Sequence, residues 1–162
     1  MSDVPTSTTP EQRLKELGLA LPPVTDPAAN YIVWRKVGDL IRVAGQVPFV
    51  DGKLPVTGKL GGTLGLIEGQ RQARTATLNA LAAGAQAAGS LGQLVVAHLM
   101  VFVASTPDFI EQHLVANGAS DLLAEVLGDA GKHPRTAIAV PCLPLDAPVE
   151  VQVTFTTTDV VE

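Results

Sequence analysis

Arg135 and Glu150 bound the stretch of this chain in which residue type and spacing bear most directly on chemistry. Arg135 follows a Gly-Lys-His-Pro loop and stands at the mouth of an apolar strand, and Glu150 lies in the next strand, after a Pro-rich turn. Antiparallel pairing of these two strands would bring both side chains into one neighbourhood. A guanidinium placed there offers two parallel donors that clamp a carboxylate. The competing reading is an Arg135–Glu150 structural ion pair, and spacing alone favours it.

The remaining reactive residues give weaker signals. His98 falls in an apolar strand that helices are expected to cover, so it reads as packed, and His113 reads as a surface residue of a helical region. His133 is close to Arg135 in sequence, but loop side chains more often point to solvent. Cys142 reads as an inert buried thiol in an apolar strand. No histidine and carboxylate spacing suggests a metal site. The stretch Gly61-Gly62-Thr63-Leu64-Gly65 precedes a helix but does not close a parallel strand unit, so it reads as a loop rather than an anion cup.

These residues must be positioned by a modest set of elements. Thr9-Pro10-Glu11-Gln12 has the form of a helix start, with Thr9 as N-cap, and the helix is expected to run to Leu17. Residues 1–10 should be mobile. Pro22, Pro23 and Pro27 make the next segment an extended connector. Strands are expected over residues 31–35 and 40–47, separated by the turn signal Gly38-Asp39. Residues 64–88 form a long helix whose Leu66, Gly69, Ala73, Ala76, Ala80, Ala83 and Ala87 make one stripe, almost all of small residues. A strand over 95–104 and a helical region from Thr106 to about Gly128 follow, then strands over 136–143 and 149–157. In the last strand Val149, Val151, Val153 and Phe155 alternate with polar residues, which gives one apolar and one polar face. The order of elements is that of an α+β domain, a sheet with two helices on one face.

Composition narrows the function. The 162 residues are enough for one domain with a real core. A formal net charge of -5 with scattered arginines disfavours nucleic acid as the main partner. The single cysteine fits a reducing compartment. No apolar stretch approaches the ~20 residues needed to span a bilayer, and the polar N-terminus lacks a signal core, so a cytoplasmic location is expected.

The Arg135 to Glu150 stretch resembles the C-terminal signature of the RidA/YjgF family, also labelled endoribonuclease L-PSP-like. That signature has an arginine opening a strand, then Leu-Pro and a turn, then Val-Glu-Val. Gly45-Gln46-Val47-Pro48 is similar to the family's Ser-Gly-Gln-Ile-Pro segment, and Tyr31 stands where the family carries a tyrosine. Val101-Phe102-Val103 followed by Asp108-Phe109 matches another family segment. The resemblance covers residues 28–157 and divides the chain into residues 1–27, a flexible N-terminus with a short helix and connector, and a family-like domain over 28–162.

The resemblance implies a chorismate-mutase-like mixed sheet, a homotrimer, and sites in the clefts between subunits. It implies hydrolytic deamination of 2-aminoacrylate-like enamines and imines to 2-keto acids and ammonia, with no cofactor and no metal. Arg135 would hold the carboxylate of a small substrate, Glu150 the attacking water, and Tyr31 the pocket wall. Backbone near Gly45 and the position of Ala137 would contact substrate. Ala137 stands where the family often has a cysteine, Ala44 where it has a serine, and residues 112–128 are longer than in the archetype. Together with the extra N-terminal helix, these changes resemble a sub-branch. Two alternatives stand beside the deaminase: non-catalytic binding of small carboxylates in the same clefts, and an endoribonuclease, which the acidic balance disfavours.

Overall fold

The computed structural model of the chain describes residues 8–27 and 29–158. The mobile segment expected over residues 1–10 therefore lies outside the described residues as far as residue 7. Five strands make one mixed sheet: β1 (Trp34–Val37), β2 (Leu40–Val43), β3 (Leu94–Ala104), β4 (Arg135–Val140) and β5 (Val149–Thr157), in the order β1-β2-β5-β3-β4. Every neighbouring pair is antiparallel except β3 and β4. A parallel pair cannot be joined by a hairpin. The crossover is supplied by α3 (Gln112–Val115) and α4 (Asn117–Leu127).

The alternation read in the last strand sets the layer structure. Val149, Val151, Val153 and Phe155 are fully buried together with Leu99, Val101 and Val103 of β3 and Ile41 of β2. Over this face lies α2 (Leu66–Ala88), of whose expected stripe Gly69, Ala73, Ala76, Ala80 and Ala83 are buried, while Leu66 and Ala87 near its two ends are only partly so. The approach is close enough that a Cβ on Gly84 would stand 2.7 Å from the Phe155 ring. Helix α4 packs beside α2 with Leu122, Leu123 and Val126 buried.

The N-terminal helix α1 (Pro10–Glu16) starts at the Thr9 capping box. It docks on α4 through buried Leu14 and a 2.8 Å bond from Arg13 Nε to the Val126 carbonyl. Leu19, Leu21 and Val24 of the connector also pack on the core.

Several boundaries differ from expectation for local reasons. Strand β1 begins at Trp34, not Tyr31, and β2 ends at Val43. The pairing shifts by one residue between Ile41↔Phe155 and Gln46↔Val151, so the chain bulges at Ala44–Gly45 and the ladder is interrupted. Strand β4 stops before Pro141, which has no N–H to continue a ladder. Cys142 is consequently beyond the strand and exposed, contrary to the buried thiol expected. His98 pairs with Thr154 and shares the face the helices leave open, so it is not the core histidine its apolar neighbours suggested. That open face also carries Val37, Leu40 and Ile138, exposed at 68%, 41% and 42%.

Candidate functional site

The bulge after β2 creates one half of the candidate site. Glu150 follows Val149 in β5 and points to the open face, since its partner is Phe102 and not a core residue. Its carboxylate lies directly over Gly45, where a Cβ would stand 1.8 Å from Oε1. Only a glycine admits the carboxylate there. Gly45 sits between two backbone bonds, Ala44 N–H to the Val33 carbonyl at 2.8 Å and Gln46 N–H to the Val151 carbonyl at 2.8 Å. The N–H and C=O of Gly45 have no partner among the described residues. Tyr31, two residues before Val33, is at the same end of the sheet and 51% exposed. Half-burial without a cationic neighbour raises the Glu150 pKa above the usual 4.5, because the charged form loses hydration.

The other half forms around Arg135 on the edge strand β4. Arg135 pairs with buried Leu99, so its side chain leaves the sheet on the helix-covered face. Nη1 donates to Asn117 Oδ1 at 2.9 Å and to Ser120 Oγ at 3.0 Å, and Nη2 donates to the His113 carbonyl at 2.7 Å. All three acceptors are neutral. A guanidinium has five N–H donors. The Nε–H and one Nη2–H of Arg135 therefore have no partner among the described residues. Ser120 Oγ also meets His133 Nε2 at 2.9 Å, and His133 Nδ1 meets the Gly131 carbonyl at 2.5 Å. Burial lowers the His133 pKa below the usual 6.5; the Gly131 bond opposes this, while Arg135 and His98 add to it. Ser120, Lys132, His133 and Arg135 line an open cleft of about 430 Å³. Ala137 lies two residues along β4 on the same face as Arg135, paired with buried Val101.

The two halves do not meet within one chain. Strand β3 lies between β4 and β5, and Arg135 and Glu150 project to opposite faces of the sheet. The expected pairing of their strands is therefore replaced by a parallel β3–β4 ladder. The expected ion pair is also missing: ion pairs among the described residues are Glu68–Arg71, Glu125–Arg74 and Asp129–Lys132. Tyr31 precedes β1, which is four strand spacings, about 19 Å, from β4.

Sequence reasoning passed over Asn117 and Ser120, and set His133 toward solvent. A signal existed. Asn117 and Ser120 are polar residues three apart in a helical region, a spacing that places both on one face.

Residues 11–156 match the family described as "YjgF/chorismate_mutase-like, putative endoribonuclease". Protein TCP17 of Trypanosoma cruzi is 43% identical over 140 residues, which span 85% of this chain and 88% of that protein. The crystal structure of Atu1372 from Agrobacterium tumefaciens, described as of unknown function, is 40% identical with a TM-score of 0.84, over 92% of each chain. A putative endoribonuclease from Shewanella oneidensis is 37% identical with a TM-score of 0.89, over 92% of this chain and 99% of that one.

Proposed function

Because this chain belongs to the YjgF/chorismate mutase-like family, we propose that it hydrolyses imines of small carboxylic acids to 2-keto acids and ammonia, at a site completed between copies of the chain. One observation carries the reading: the chain holds a guanidinium and a carboxylate in separate half-sites, and neither has an ion-pair partner among the described residues. An Arg135 with free donors suits a carboxylate, and a half-buried Glu150 beside the free backbone groups of Gly45 suits a water. Joining the halves requires a second copy, whose Glu150 end meets the Arg135 edge of the first. A closed ring of three copies would repeat that contact. Exposed Val37, Leu40 and Ile138 on the open face are consistent with burial between subunits.

The chemistry follows from the groups. The substrate carboxylate accepts the Nε–H and Nη2–H of Arg135. Water adds through oxygen to the protonated C=N carbon and gives a proton to Glu150, while the C=N electron pair settles on nitrogen. Glu150 returns the proton to that nitrogen. The C–N bond breaks as the hydroxyl oxygen forms C=O, and the hydroxyl proton leaves with ammonia as ammonium. The raised pKa makes Glu150 a stronger base than an exposed carboxylate. A net charge of -5 without a basic stripe is poor for RNA, whose binding rests on phosphate neutralisation.

The test uses imines generated in situ and follows ammonia and keto-acid release. Arg135→Lys keeps the charge but loses the planar fork, and loss of one charge-assisted bond, ~1.5–3 kcal/mol, costs more than tenfold. Glu150→Gln should be similarly impaired. Co-expressed in one assembly, the two variants should recover about a quarter of the parent activity, the share of sites that draw Arg135 and Glu150 from intact donors. A parent that releases no ammonia above the spontaneous rate refutes the deaminase. Mixed assemblies without recovery refute the shared site.

A further inference from the structure

Arg135 is held in an unusual way for a surface-edge arginine. Each of its partners in the chain is a neutral acceptor, two of them side chains of α4 and the third the carbonyl of His113 in α3. The relay behind Ser120 has a fixed direction. The Gly131 carbonyl can only accept, so His133 Nδ1 carries the proton. The Nε2 of a neutral ring is then a lone pair and takes the Ser120 hydroxyl hydrogen. The Ser120 oxygen is left to accept from Arg135 Nη1. Burial, which lowers the His133 pKa, keeps this neutral arrangement populated near neutral pH.

The support behind the relay is rigid. Gly118, between Asn117 and Ser120, lies against α2 so closely that a Cβ would stand 2.0 Å from the Gln70 carbonyl oxygen. Gly131 is pressed against α4 in the same manner, with a Cβ position 2.1 Å from the Leu123 carbonyl oxygen. Both ends of the relay are thus fixed by backbone contact. An aspartate in place of Asn117 or Ser120 would hold the guanidinium more firmly still, yet the sequence places an amide and a hydroxyl there.

We propose that Asn117, Ser120 and His133 are positioning residues for Arg135, which fix the guanidinium through neutral acceptors so that its charge and its free Nε–Nη2 edge remain available to an anionic ligand. The proposal rests on the reading of Arg135 as a carboxylate anchor. It gives the segment over residues 112–128 a role: among the described residues, that segment supplies the three acceptors that touch Arg135 directly.

The decisive variant is Asn117→Asp in the full chain. Aspartate is isosteric, forms a charge-assisted bond to Nη1, and stands in the first turn of α4, where negative charge is favourable. A merely structural role predicts an unchanged or higher Tm and unchanged ligand binding. Neutral positioning predicts the same Tm but at least a roughly tenfold loss of affinity for pyruvate, measured by calorimetry, because the anchor's charge is cancelled. Ser120→Ala should weaken pyruvate binding severalfold and Ser120→Thr should restore it. His133→Ala should weaken pyruvate binding, because the Ser120 hydroxyl loses its acceptor, and His133→Gln, whose side-chain carbonyl can accept from Ser120, should recover it.

A second measurement needs no ligand. In nitrogen-15 NMR of the free protein, rotation of the Arg135 Nη groups should be slow in the parent and faster in Ser120→Ala. Asn117→Asp binding pyruvate as tightly as the parent overturns the proposal, as does Nη rotation that is equally fast in parent and Ser120→Ala. If the parent binds no pyruvate but Nη rotation responds to Ser120→Ala, the positioning stands and the carboxylate reading fails.

Discussion

Gly45→Ala tests the catalytic geometry with a single added methyl group. The new Cβ would lie 1.8 Å from Glu150 Oε1, 2.8 Å from Cδ and 3.1 Å from Cγ. Ordinary van der Waals contact begins at 3.4 Å, so Oε1 must retreat by about 1.6 Å, from 1.8 to 3.4 Å. The clash is with the far end of a flexible side chain, and Gly45 does not have a positive φ, so alanine fits its backbone. Stability should hold, or rise by ~0.4–1 kcal/mol, because alanine restricts the unfolded chain. Turnover should not hold. A displacement near 1 Å at a positioned group costs on the order of 10²-fold. The assay is imine hydrolysis, with the spontaneous rate subtracted, beside a melting curve. Pyruvate affinity should change little, because the Gly45 N–H and Arg135 remain. Parent-like turnover in a folded Gly45→Ala protein would show that the position of the Glu150 carboxylate is immaterial and would remove it from the reaction.

The pH profile of Glu150 carries a defined sign. Burial raises its folded pKa above the usual 4.5, so stability is full below 4.5 and declines as pH rises through the folded pKa. Glu150→Gln should therefore melt no lower than the parent at pH 7 while turning over more slowly, and the acidic limb of the pH–rate profile should vanish with it. Gly118→Ala forces a Cβ to within 2.0 Å of the Gln70 carbonyl oxygen, which is backbone and cannot swing away. Overpacking of this kind costs ~1–3 kcal/mol, so thermal melting should fall by several degrees and carboxylate binding should weaken with the displaced Asn117 and Ser120. Light scattering at micromolar concentration should give three times the mass of the chain; a monomeric mass would refute a site shared between copies.

The parts of this fold legible in the sequence are those governed by local periodicity. The Ala and Gly stripe of α2 identified its buried face, and the two-residue alternation of β5 identified both faces of the sheet, because burial alone decides those patterns. Strand order was not legible. Arg135 and Glu150 are fifteen positions apart across an apparent hairpin, yet β3, from earlier in the chain, inserts between their strands. Nothing in the local spacing encodes an insertion of that kind, since pairing depends on which edges remain unfilled when the sheet assembles. The error had a chemical consequence. A hairpin would have made the two charges partners that neutralise each other; the observed order sends them to opposite faces and leaves both unspent. The same topology explains why no chain-internal cleft gathers Tyr31, Gly45, Glu150 and Arg135. Gly45 and Glu150 meet at the bulge after β2, and Tyr31 precedes β1 in a separate cleft with Trp34 and Gln86, while Arg135 sits on the far edge with its own support from α3 and α4. Under the proposed function, a sheet that sends a reactive pair to its two opposite faces holds half of a site on each face. The proposed shared cleft would satisfy both charges at once, Arg135 with the carboxylate of a substrate and Glu150 with a bound water.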